Sequence, residues 1–469
     1  MFLTVDSVPA LSVAAPAEAV LTLAGVVEQL GKGFPKWMGA DAAVRAASGK
    51  ARAKQGAFDP VVSLEAESLR YNSASSRGKS AIGSRNDVGV EWTTPAGAKF
   101  SAGRVFNQGA VKSPDSATGS SGTWAFGVKL PLGRGAGVNE KSVGLEQARF
   151  GENLARQDAG MVWMSVRYEA SLAYWNWVGA ARRLALREQL ERLASERAVL
   201  VGREVAAGAR PAIDAREADS EVALRRTDTI KARRDWEKAS FSLSKFLWNA
   251  DGSPGEVPGP ERVPADDTNV EPSPLATAEV EQGRLRAWER RPEMARLAVE
   301  RRVVAVDRRL ADNDRRPFID LVVGPGLDLG ENGVGTTLKA GIAVSWPLNQ
   351  NDPRGRLEEA VAKDRKLELD ENLLRRTISL EVDDAASAVG RAVDRWSEAR
   401  AAVSALLAVE EGERVRFREG DSSLFLLNQR ERQRADAQLR WIDTRIEVHV
   451  AVAQWVMATN PEETVGQPR

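Results

Sequence analysis

Apolar and polar positions alternate with two periods along this chain, and the two periods come in blocks. After Pro60, Val62, Leu64 and Ala66 alternate with Ser63, Glu65 and Glu67, the period of a strand with one apolar and one polar face. Val88, Val90 and Trp92 repeat the pattern, then Phe100, Ala102 and Phe106, then Trp124, Phe126, Val128 and Leu130. In the second half Pro317 opens an extended run, Gly330–Gly335 turns the chain, and Leu338, Ala340, Ile342, Val344 and Trp346 alternate with Lys339, Gly341, Ala343 and Ser345. This predicts up to four strands within 60–131 and two within 317–347. Ser73–Arg85 and Asn107–Gly122, rich in Ser, Gly, Asn and Lys, predict exposed loops.

The other blocks carry helical spacing. One helix is predicted over about 20–57 and one over about 275–314. The span 138–206 contains no proline, and Leu186, Leu190, Leu193 and Leu200 fall at steps of four, three and seven, the seam of coiled-coil packing. A second long helix, 354–418, carries Ile378, Val382, Ala385, Val389, Val393 and Trp396. Each long helix is followed by a hinge and a partner helix: hinge 207–211 before helix 212–249, and hinge 419–422 before helix 423–459. Gly208 and Gly420 can take the left-handed conformation that ends a helix. Pro211 or its neighbours supply the next first turn, and Ser422 or Ser423 can accept hydrogen bonds from free amides at the start of the last helix. Both pairs of helices are therefore expected to be antiparallel.

The same order runs twice. Pro35 and Pro292 lie 257 residues apart, as do Pro60 and Pro317. Each extended region closes on a strand followed by Pro-Leu, at Pro131-Leu132 and Pro347-Leu348, which marks Pro131 and Pro347 as strand-to-helix joints. From joint to hinge glycine is 77 residues in the first half (208 minus 131) and 73 in the second (420 minus 347). The chain thus divides into a first repeat, 21–250, a proline-rich linker, 251–274, and a second repeat, 275–460, flanked by residues 1–20 and a tail, 461–469. The fold class is α+β, mainly α.

Composition narrows the function. Among 469 residues, 66 basic side chains balance 66 acidic ones, so a nucleic-acid partner has no electrostatic support. Cysteine is absent, which excludes disulfides, thiolate metal sites, cysteine catalysis and an acylated amino-terminal cysteine, and is compatible with an oxidising compartment. No apolar run of 18 residues occurs, so no membrane-spanning helix is expected. Residues 1–20 end in small side chains but lack a basic leading segment. Two readings stand: a start that is not the biological one, or an export signal already removed. No nucleophile with a base, no phosphate-binding glycine loop and no ligand spacing for a metal occurs, so neither catalysis nor a cofactor is expected. Trp163, Trp175 and Trp177 read as packing between helices, His449 as a lone histidine on a helix seam, and Glu410-Glu411-Gly-Glu413 as a solvated face.

The strands leave two architectures open. Segments of about ten residues with an apolar face suit a β-barrel in a bilayer, provided that several subunits close it, and equally suit a small soluble sandwich capping a helical bundle. The double cycle, the Pro-Leu steps, the Gly420-Asp-Ser-Ser-Leu turn and the Arg290-Arg-Pro-Glu opening of the second half resemble the TolC-like outer-membrane efflux family over about 20–460. The resemblance implies a homotrimer in the outer membrane that extends into the periplasm. Each subunit would give four strands to a twelve-stranded barrel in lipid and two helical hairpins to an α-barrel. The hairpin tips at Gly208, Pro211, Gly420, Asp421, Ser422 and Ser423 would meet a periplasmic adaptor serving an inner-membrane pump, and substrates would pass without chemistry. Two features depart from the family. The first strand region is the longer, 71 residues between Pro60 and Pro131 against 30 between Pro317 and Pro347, so the surplus is an extra hairpin, an enlarged loop or further barrel strands. Leu424–Gln429 also stand where some members carry acidic gating residues. The alternative is a soluble or peripheral coiled-coil scaffold or adaptor with a small β-domain, although an adaptor would show one helical hairpin rather than two.

Overall fold

The computed structural model describes residues 20–72, 80–109, 117–264 and 273–459. Most of the amino-terminal segment, the whole carboxy-terminal tail and part of the linker lie outside these residues, as do parts of both expected loops. The elements run α1 (Leu23–Gly33), α2 (Pro35–Gln55), β1 (Val61–Asn72), β2 (Ser80–Thr93), β3 (Lys99–Gly109), β4 (Thr123–Pro131), α3 (Glu140–Ala206), α4 (Ala212–Ser244), α5 (Thr277–Arg290), α6 (Pro292–Asp314), β5 (Phe318–Asp328), β6 (Gly335–Ser345), α7 (Asn351–Arg418) and α8 (Leu424–Thr459).

Three expectations are corrected. The helix over 20–57 is two helices broken at Phe34, and that over 275–314 is two broken at Arg291; both residues are extended, with ψ of 119° and 130°. In each case the next residue is proline, which drives its predecessor out of the α region and brings no N–H to continue the ladder. The expected loop Ser73–Arg85 is shorter, because β2 begins at Ser80. The sheet holds six strands, four within 60–131 and two within 317–347 as the alternation and prolines predict, so the surplus of the first region is a further hairpin.

Two compact units divide the described chain, and each draws on both halves of the sequence. One comprises Met1–Gly39, Gly160–Arg291 and Arg375–Arg469. Its main core buries Val26, Leu30, Val166, Tyr174, Trp177, Val178, Leu243 and Ile446. Trp163 belongs to this core and Trp175 packs against it, stacked on His449 at 3.7 Å between ring centroids, so all three tryptophans pack between helices. Ile378, Val382, Ala385, Val389, Val393 and Trp396 are all buried, whereas Leu193 and Leu200 of the first seam are exposed within a single chain. The hairpins are antiparallel: Arg187 pairs with Asp228 (2.8 Å) between α3 and α4, and Arg395 with Glu447 (2.8 Å) between α7 and α8.

The other unit comprises Ala40–Ala159 and Pro292–Leu374. Here α6 is tied to α3 by Arg309–Glu146 (2.7 Å) and to α7 by Arg301–Glu371 (2.9 Å). Its sheet is an antiparallel meander in the order β1-β2-β3-β4-β5-β6. Val62 lies opposite Val90, and Val90 opposite Ala102, so one apolar face runs across neighbouring strands. The other face carries Glu65, Glu67, Arg85, Asp87, Glu91, Lys99, Lys129, Asp320 and Lys339. No described helix is long and apolar enough to cross a membrane.

Trp177 has no exposed surface, and truncation leaves a hole in a core built from three segments of chain. Trp177→Ala is expected to destabilise the helical unit by about 3–5 kcal/mol, read as a loss of helical circular dichroism at lower denaturant concentration.

Candidate functional site

The two hinges are built alike, atom for atom along the backbone. At the first, Gly208 has φ 72°, its N–H donates to the Val205 carbonyl (3.0 Å), and the Ala209 N–H donates to that of Glu204 (2.9 Å). At the second, Gly420 has φ 84°, its N–H donates to Phe417 (3.3 Å), and the Asp421 N–H donates to Arg416 (2.9 Å). Both are Schellman turns, in which a left-handed residue lets two amides return to the last carbonyls of the helix. Pro211 caps α4 from just outside, with ψ 145°. Ser423 caps α8 by accepting from the Leu426 N–H (3.3 Å), whereas the Ser422 hydroxyl turns back and donates to Glu413 (2.5 Å). The turns also meet: the Arg210 guanidinium lies 4.6 Å from the Phe417 ring centre, and Val201, Ala218 and Leu424 form a small buried cluster between the hairpins.

Behind the turns lie buried ions. Glu221 of α4 takes Arg225 on its own helix and Arg432 on α8. Glu410 of α7 takes Arg414 on its own helix and Arg434 on α8. Arg197 of α3 grips Glu431 of α8 through both terminal nitrogens and donates to Asn428 (3.0 Å). Glu410 and Glu413 are 1% and 6% exposed, which corrects their reading as a solvated face; only Glu411 of that cluster is exposed. Burial raises the Glu221 carboxyl, but hydrogen bonds and charge from Arg432 and Arg225 outweigh it and hold the group below its ordinary 4.5. The Glu-x-x-x-Arg spacing at 221–225 and 410–414 was the available signal for these clusters, since residues four apart share a helix face. Leu424 and Leu427 are core side chains, and Phe425 between them is exposed.

The strand-to-helix joints differ from each other. Pro131 ends β4, and the chain then bonds along β5, Leu132 N–H to the Ile319 carbonyl (2.7 Å) and Arg134 N–H to that of Pro317 (2.8 Å), before Asn139 caps α3 by accepting from Ser142 (2.9 Å). Pro347 stands two residues beyond β6, and Gln350 takes φ 52° immediately before α7. Asp314 at the end of α6 is buried against Arg134 (2.9 Å) and Arg356 (3.5 Å); burial wins there and raises its carboxyl despite both cations. A cavity of about 290 Å³ opens beside it, lined by Lys99, Lys129, Arg134 and Asp320.

Two hinged helical pairs, each preceded by antiparallel strands whose apolar face is exposed, define the fold. No protein-family model and no curated sequence matches the chain, so the likeness is carried by structure. The outer-membrane channel OprN is 18% identical over 94% of this chain and 90% of its own, with TM-score 0.66. CusC is 14% identical over 96% of each chain (TM-score 0.68), and the MtrE outer membrane channel of Neisseria gonorrhoeae is 13% identical over 98% of this chain and 97% of its own (0.64). The chain has the fold of the TolC-like outer-membrane channels.

Gly420 needs its left-handed backbone, whereas Gly412 lies inside α7 with open space where a Cβ would stand. Gly420→Ala should therefore cost about 1–2 kcal/mol, and Gly412→Ala should gain up to about 1 kcal/mol, both read from urea unfolding of the helices. Because the folded Glu221 carboxyl titrates below the unfolded one, its contribution is present above pH 4.5 and is lost as pH falls through the folded value. The stability difference between the natural protein and Glu221→Gln should shrink along that descent and stay flat from pH 5 to 7.

Proposed function

We propose that this chain is one subunit of a homotrimeric exit duct in the outer membrane that extends into the periplasm. Its sheet sits in lipid, and its hairpins form a periplasmic tube. An inner-membrane pump loads the duct through a periplasmic adaptor, and substrates pass through passively. The observation that carries this reading is the sheet's inverted polarity. β1 is exposed from Val61 to Arg70 and β6 from Thr336 to Ser345, on both faces, whereas a soluble sandwich would bury one face of each. The strands are 9 to 14 residues long, the span of a tilted strand in a bilayer. The fold shared with OprN, CusC and MtrE supports the same reading.

In this reading Gly208, Pro211, Gly420, Asp421, Ser422 and Ser423 form the face offered to the adaptor. The glycines and Ser423 shape the turns, and Asp421 is an exposed side chain on them. The test starts with cell fractionation from the natural gene, mild detergent extraction and native mass determination. A trimer in the outer-membrane fraction is the expected result, and a soluble monomer or dimer would sink the duct. Asp421→Arg should then leave the trimer in the membrane but reduce efflux to the level of a strain lacking the gene; undiminished efflux would remove the second hinge from the adaptor surface.

A further inference from the structure

β1 and β6 are the edges of the sheet. β1 pairs through twelve residues with β2 alone, and β6 through eleven with β5 alone, so each leaves one line of backbone N–H and C=O groups open. Both edges also carry bare apolar surface: Val62 and Leu64 are 73% and 79% exposed, Leu338 and Ile342 72% and 68%. Hydrocarbon tolerates that surface but not unpaired backbone, so in a bilayer each edge must meet another strand.

Resting on the trimeric reading above, we infer that β6 of one copy pairs with β1 of the next and that all six strands of each subunit join the wall, giving an eighteen-stranded barrel. An even number of strands in a meander makes the two edges antiparallel to one another, so the pairing continues the pattern of the other five junctions. The edges carry opposite charges on the polar face, Glu65 and Glu67 on β1 and Lys339 on β6. The β1–β2 hairpin belongs to the wall because β2 is bound to β3 through eleven residue pairs, which leaves β3 no free edge at which a smaller ring could close.

Width follows from strand number. With strands roughly 4.8 Å apart and tilted by about 40°, eighteen strands enclose a backbone diameter of roughly 36 Å, and twelve only about 24 Å. Small residues line the inner face in one row across four strands: Gly89 lies opposite Gly103, Gly103 opposite Ala125, and Ala125 opposite Gly326. The membrane section therefore passes bulky polar solutes, and any narrow sieve lies elsewhere in the tube.

Because the chain lacks cysteine, introduced pairs report without background. Lys339→Cys would be combined in turn with Ser63→Cys, Glu65→Cys and Glu67→Cys on β1, and with Ser101→Cys and Val105→Cys on β3 as the competing edge. Covalent dimers and trimers through β1 are expected on non-reducing gels, together with eighteen strands around the ring in electron cryomicroscopy of the natural trimer. Linking through β3, or a ring of twelve, would overturn the inference while leaving the trimeric duct intact. Failure to find any trimer would instead remove the duct reading itself.

Discussion

A sheet with its apolar side turned outward cannot be stable in water on both faces, and the rest of this protein follows from how that is resolved. On the opposite face the charges of the inner strands are matched, Arg85 with Asp87, Lys99 with Glu91 and Lys129 with Asp320. Apolar solvent outside and aqueous solvent within are the conditions under which both faces are satisfied. The two arginines on the apolar face obey the same rule: Arg70 donates to the Ser80 hydroxyl (3.3 Å), and Arg104 donates to the Ser121 carbonyl (2.8 Å) and lies over the Phe106 and Trp124 rings, which keeps both charges near the loop end of the strands.

The helical unit solves a different problem with little apolar surface. Its four hairpin helices are rich in arginine and acid, and their hydrophobic seams are narrow, so cohesion near the turns falls to charge. Buried ion pairs add little net stability but penalise wrong partners heavily, because a lone buried charge costs more than a matched pair returns. Register between the hairpins is therefore set by Glu221 and Arg197, which reach across to α8, and register within the second hairpin by Glu410, which meets Arg434. The glycine turns set where each helix reverses, and the ions set how the reversed helices align.

Much of this was legible from residue types. Alternation located segments of five of the six strands, because both faces of a thin sheet are specified by period two and no tertiary burial blurs them, while Pro317 marked the start of β5. Hinge glycines were legible because a left-handed residue at a helix end has few alternatives. The breaks at Phe34 and Arg291 were marked by the prolines after them, but helical spacing on either side masked the interruption. Long-range charge pairing was not legible: Glu410 and Glu411 are adjacent and chemically alike, yet one is buried and the other exposed. Their difference is a matter of phase around a helix, fixed by a partner twenty-four residues away on another element.

The place of α8 after α3, α4 and α7 in the order of elements bears on assembly. Arg183 and Arg197 on α3 find Asp443 and Glu431 only on α8, which also completes the pairing of Glu221 and Glu410. Synthesis delivers that helix after α3 and α4, so the first hairpin can form while its cross-hairpin charges still wait in solvent. A chain released before α8 emerges carries a strongly polar stripe where the second hairpin should dock. Until α8 emerges, Arg183, Arg197 and Glu221 lack the partners that it supplies, so docking of the two hairpins waits on that one helix.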